Sequence, residues 1–116
     1  MVIYKNIDYD RFNNSVRELI NDGIVTPHIG IAKKPVPAEI KSVNKHALKH
    51  GVTKEQAQGF IDSAVVMFDQ GSRSLYVSED GNAVLLDQEL RLISAYKKDE
   101  FDPGIKAILE VAKNGI

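Results

Sequence analysis

The sequence predicts an α+β fold: N-terminal helices packed on a four-stranded antiparallel meander, closed by a C-terminal helix. Three observations carry this. Apolar residues recur at helical spacing before and after the middle of the chain, and between Val65 and Tyr96 the pattern changes to short runs with alternating character. The turns between those runs are too short for parallel crossovers. With 116 residues, 43% hydrophobic and 27% charged, the chain has the size and composition for one ordinary core, and it reads as a single domain.

Met1 to Lys5 reads as a short β segment or an arm. From Asp8 onward Phe12, Val16, Leu19 and Ile20 form one helical stripe, and Gly23 ends it. Ile24 to Ala32 reads as an irregular strand or a covering loop, and residues 1–35 together as an extension that the sequence does not place. The core is expected over 36–116. Pro35 and Pro37 stop any preceding helix, and Pro37 suits the first turn of a second helix over Ala38–His50. At 100° per residue that helix would bury Ile40, Val43 and Ala47 and bring Glu39, His46 and His50 to one edge. Thr53 and Gln56 make a capping box for a third helix with Ala57, Phe60, Ile61 and Ala64 on its core face.

Four strands follow. Val65–Phe68 ends at the Asp69–Gly71 turn, and Ser72–Ser78 alternates about Leu75 and Val77. Asp80-Gly81 makes a hairpin turn before Ala83–Leu86, and Asp87-Gln88-Glu89 precedes Leu90–Tyr96. Asp102-Pro103 then starts a closing helix on Ile105, Ile108, Leu109 and Ala112.

Composition removes several chemistries. Without cysteine there is no disulfide framework, thiolate metal site or thiol nucleophile. The charge of −1, from 15 Lys+Arg and 16 Asp+Glu, lacks the bulk footprint of a nucleic-acid binder, so any such binding must rest on a local basic patch. No apolar run reaches membrane-spanning length and the N-terminus lacks a signal-peptide segment, so a cytoplasmic location without a membrane partner is expected. A G-x-S-x-G elbow and a phosphate-cradling glycine loop are both missing.

What remains is histidine and hydroxyl chemistry. His46 and His50, spaced i and i+4, would face one side of their helix about 6 Å apart at Cβ. Cleavage of an RNA phosphodiester needs a base for the 2′-hydroxyl, an acid for the leaving 5′-oxygen, and donors for the phosphorane. Histidine serves as either acid or base near neutral pH. Ser74 and Tyr76 on one strand, and Ser94 and Tyr96 on another, keep one alternation and are expected to share a sheet face. Arg73, Arg91, Lys97 and Lys98 lie close by in sequence to supply charge. The same residues also fit a solvated sheet face and a histidine at a helix end. A zinc site on His46 and His50 lacks the H-E-x-x-H pattern and would need Glu39, His28 or Asp69 as a third ligand.

The run from Lys45 to Asp102 resembles a known group of nucleases. His46-Ala47-Leu48-Lys49-His50-Gly51, Tyr76-Val77-Ser78-Glu79-Asp80-Gly81 and Ser94-Ala95-Tyr96-Lys97-Lys98 carry the likeness. The group is the small bacterial and phage domains of the barnase–EndoU–colicin–RelE superfamily, found in polymorphic toxins and phage minor head proteins. The resemblance implies helices on one face of a four-stranded antiparallel sheet, and cofactor-free, metal-independent ribonuclease activity on the open face. It points at His46 first, then His50, Ser74, Tyr76, Ser94 and Tyr96. Taken with the nearby cations, the expected site has His46, His50, Tyr96 and Tyr76 as catalytic and Ser74, Ser94, Lys97, Arg91 and Arg73 as substrate-binding. RNA is the implied substrate, an immunity protein or phage structural protein the implied partner. A non-catalytic interaction domain of phage or prophage origin and a small zinc-binding domain stay open beside it.

Overall fold

A computed structural model describes residues 7–45, 47–98, 100 and 104–113. In chain order the elements are α1 (Tyr9–Asn21), β1 (Ile31–Lys33), β2 (Ser42–Val43), α2 (Lys54–Asp62), β3 (Ala64–Asp69), β4 (Arg73–Ser78), β5 (Ala83–Asp87), β6 (Arg91–Tyr96) and α3 (Gly104–Lys113). The fold is α+β. The strands β3 to β6 are consecutive antiparallel neighbours, but they do not form the whole sheet. It has six strands in the order β1-β3-β4-β5-β6-β2 and is mixed, because β2 runs parallel to β6. The expected four-stranded antiparallel meander is corrected accordingly.

The second correction concerns residues 38–50, which hold no α-helix among the described residues. Pro35, Pro37 and the β-branched Ile40 and Val43 favour extended backbone, and two hydrogen bonds hold it along β6. The Lys41 N–H donates to the Leu90 carbonyl and the Asn44 N–H to the Leu92 carbonyl, both at 2.9 Å. Short turns then carry the chain to Gly51. Ile40 and Ala47 are buried as the helical reading required, whereas Val43 is exposed.

Residues 7–33 belong to the core. Phe12 and Val16 of α1, with Val25, Ile29 and Ala32, pack on Phe68, Leu75 and Val77 together with Ile105, Ile108 and Leu109. That layer covers one sheet face. On the other, Ala57 and Ile61 of α2, with Ile40, Ala47 and Val52, cover Met67, Tyr76, Val84, Leu86, Leu92 and Ala95. Both faces are therefore buried, and neither is the open platform expected from the sequence.

Side-chain amides cap the β1 edge and the segment that leads into β2. Asn13 Oδ1 accepts from the Ala32 N–H at 2.7 Å, while its Nδ2 donates to the Ala32 carbonyl at 3.0 Å and to the Tyr9 carbonyl at 2.8 Å. Gln58 acts alike on the segment before β2, accepting from the Ile40 N–H at 2.9 Å and donating to the Ala38 carbonyl at 2.8 Å. Each amide stands in for a missing neighbour strand, a way of blunting an edge. Asn13→Ala should cost about 1–3 kcal/mol, because it leaves both Ala32 groups unpaired. Urea denaturation measures the loss, and the Ala32 amide should lose its hydrogen-exchange protection with it.

Two surface carboxylates tie down the turns. The Lys33 ammonium, 2.9 Å from Asp69, and the Gly71 N–H hold the Asp69 carboxyl below the usual range. Asp87 is held low chiefly by the Arg91 backbone N–H, with further bonds from the Glu89 N–H and the Arg91 guanidinium. Both folded pKa values lie below the unfolded value of about 3.9. Their contribution is thus present above that pH and lost as pH falls through the folded values. The urea midpoint should drop on acidification below about pH 4, and less steeply in an Asp69→Asn/Asp87→Asn chain.

Candidate active site

The register of β4 and β6 on the shared strand β5 decides where the hydroxyls go. In β6 the register passes from Leu85↔Ser94 to Leu86↔Leu92, leaving Ile93 unpaired, and a second irregularity lies between Ala64 and Val66. Across the ladders Ser74 pairs with Leu86 and Tyr76 with Val84, on the α2 face. Ser94 pairs with Leu85 and Tyr96 with Ala83, on the α1/α3 face. The expectation that all four share a face is therefore corrected. Alternation within a strand sets its own two sides, but the pairing register between strands sets how those sides match.

The expected residues separate into three places. Tyr76 is buried, and its hydroxyl donates to the Val36 carbonyl at 2.9 Å; burial raises the phenol pKa. It anchors the 36–40 segment and is not presented to a substrate. Ser74 is half-buried on the same face, and Ser94 is buried on the opposite one. Arg91 is engaged with Asp87 through Nε at 3.0 Å. Arg73 is exposed at the start of β4, opposite Asp87 in register.

His50, Tyr96 and Lys97 come together at the other end of the sheet. The His50 and Tyr96 rings lie 4.6 Å apart between centroids and tilt by 41°. His50 Nδ1 stands 3.8 Å from Glu100 Oε2, beyond hydrogen-bond length but close enough for the carboxylate to bias the ring's orientation. The Lys97 ammonium lies beside Gly51, 3.9 Å from where a Cβ there would stand. Lys45, Lys49, Lys97 and Lys98 are all exposed on the two segments that bear His50 and Tyr96. Behind the site Asn82 Oδ1 accepts from the Lys98 N–H at 2.8 Å and fixes the chain leaving β6.

His46 lies outside the described residues. Glu100 was missed by sequence reasoning, because its separation from His50 along the chain gave no signal. Among the described residues no group of three or more histidine, aspartate and glutamate side chains is placed to hold a metal ion. Nor is any described helix long and apolar enough to cross a membrane. No family model, curated protein or solved structure matches the chain.

Proposed function

We propose that this chain is a metal-independent endoribonuclease of the barnase–EndoU–colicin–RelE kind, toxin-like or phage-encoded. The single observation that carries the reading is the His50–Tyr96 pair, with Glu100 3.8 Å from the imidazole and the Lys97 ammonium beside neighbouring Gly51. In this reading one group takes the 2′-hydroxyl proton, the 2′-oxygen attacks phosphorus, and the 5′-oxygen leaves with a proton from an acid. The product is a 2′,3′-cyclic phosphate. His50 carries one of these protons, Glu100 orients its ring, the Tyr96 phenol contacts the phosphate and Lys97 offsets its charge. His46, four residues earlier in sequence, is the sequence's candidate for the second proton carrier.

The site differs from the sequence expectation in using an end of the sheet instead of a face, with Tyr76 and Ser94 left to the core. Incubation of the chain with labelled single-stranded RNA in EDTA tests the reading. Cleavage leaving cyclic-phosphate ends supports it, and intact RNA overturns it. One observation favours a second reading, a non-catalytic phage-type or immunity-type interaction domain. Both sheet faces are covered, so the platform on which the resembling nucleases work is closed. That reading expects intact RNA and expression without toxicity.

A further inference from the structure

A second polar feature lies at the opposite end of the sheet. Arg73 pairs with Asp87 at one end of β5, whereas Tyr96 pairs with Ala83 at the other. An open cleft of ≈ 600 Å³ runs there between the 27–31 loop and the β3–β4 turn. That volume lies within the range of small-molecule sites, about 300–1,000 Å³.

The walls of the cleft are held by bonds to one another. Gln70 Nε2 donates to the Ile29 carbonyl at 3.2 Å, the Gln70 N–H to the Arg73 carbonyl at 2.9 Å, and Gln88 Nε2 to the Gly71 carbonyl at 3.2 Å. The Asp69 carboxylate is taken by Lys33 and the Gly71 N–H. Asp87, the acid facing Arg73 across the ladder, is taken by Arg91 and the Glu89 N–H. Three lining side chains are left over. His28, Ser72 and Arg73 are exposed, line the cleft, and make no side-chain hydrogen bond or ion pair to the described residues. An imidazole, a hydroxyl and a guanidinium form a donor set for an oxyanion, the guanidinium matching phosphate oxygens two at a time. Pro27 and the 61%-exposed Ile31 add an apolar wall beside them.

We infer that this cleft is a binding site for a phosphate monoester bearing a small organic group, with Arg73 as its principal anchor and His28 and Ser72 as supporting donors. The inference is independent of the ribonuclease reading, since it uses other residues at the other end of the sheet. It also gives Arg73 a role apart from His50.

Amide NMR titration of the whole chain with inorganic phosphate, adenosine 5′-monophosphate and adenosine tests it. Phosphate and the nucleotide should shift the Gly71, Ser72 and Arg73 amides saturably, and adenosine should not. Arg73→Ala should weaken nucleotide binding about tenfold or more, and His28→Gln roughly two- to tenfold. Arg73→Gln serves as a second variant if the alanine chain fails to fold. No saturable shift with either phosphate-bearing probe, adenosine binding as well as its monophosphate, or unchanged affinity in a folded Arg73 variant would each overturn the inference.

Discussion

Gly30→Ala should be among the most damaging single-methyl changes in this chain. Gly30 sits at φ +98°, and a Cβ built there would stand 2.4 Å from the Asp69 carbonyl oxygen and 2.8 Å from its carbon. Neither atom can give way cheaply, because Asp69 is backbone in register with Ile31 at the β1–β3 edge. Two costs add. An L-residue in left-handed backbone loses about 1–2 kcal/mol, and forcing a methyl into a filled space costs typically 1–3 kcal/mol. We expect a loss of about 3 kcal/mol or more in urea denaturation, with β1 released first and the Ala32 amide exchanging freely. Gly71→Ala is the comparison, since its φ of +88° carries the backbone cost but its Cβ would meet nothing within 4 Å. A Gly30→Ala chain no less stable than Gly71→Ala would mean that β1 does not approach β3 as described.

His50→Ala should abolish most RNA cleavage while leaving the fold intact. A positioned acid or base contributes typically 10²–10⁴-fold to rate, and that is the expected fall in single-turnover cleavage. The stability cost is small by comparison. The ring is half-buried, and its packing on Tyr96 is worth about 0.5–1.5 kcal/mol beyond area burial. Tyr96→Phe separates the two roles of the phenol, keeping the ring for His50 to pack on while removing the hydroxyl. A roughly tenfold or greater loss of rate with an unchanged unfolding midpoint would assign the hydroxyl to the substrate. Full activity in His50→Ala would remove the assignment, and with it the nuclease site at this end of the sheet.

Most local structure was legible from neighbouring residues. The capping box of Thr53 and Gln56 is present in both of its hydrogen bonds, and the stripe of Phe12 and Val16 is buried as its spacing required. Asp80-Gly81 turns where expected, with Gly81 at φ +90°. The 87–90 turn has a signal that pattern reading could not supply. Leu90, partly buried, takes φ +61°, a conformation rare for a bulky side chain. Asp87 enforces it by accepting from the N–H groups of both Glu89 and Arg91. Residues 38–50 misled because Ile40, Val43 and Ala47 keep helical spacing. Among the described residues of that stretch only Ser42–Val43 is strand, with Val43 exposed and Ile40 and Ala47 buried from the turns and loop beside it. The neighbour that decides between helix and strand, β6, lies about fifty residues further along the chain.

The sequence by itself determined the α+β class, two of the three helix stripes in detail, the four antiparallel strands and the turns between them. All of these follow from side chains within a few residues of one another. Only the tertiary structure decided that β1 and β2 extend the sheet, that both faces are covered, and that Tyr76 and Tyr96 point to opposite sides of it. Those outcomes depend on pairing register and on packing between segments that the local pattern does not connect. A one-residue slip there sends a side chain to the other face while the alternation along its own strand stays the same.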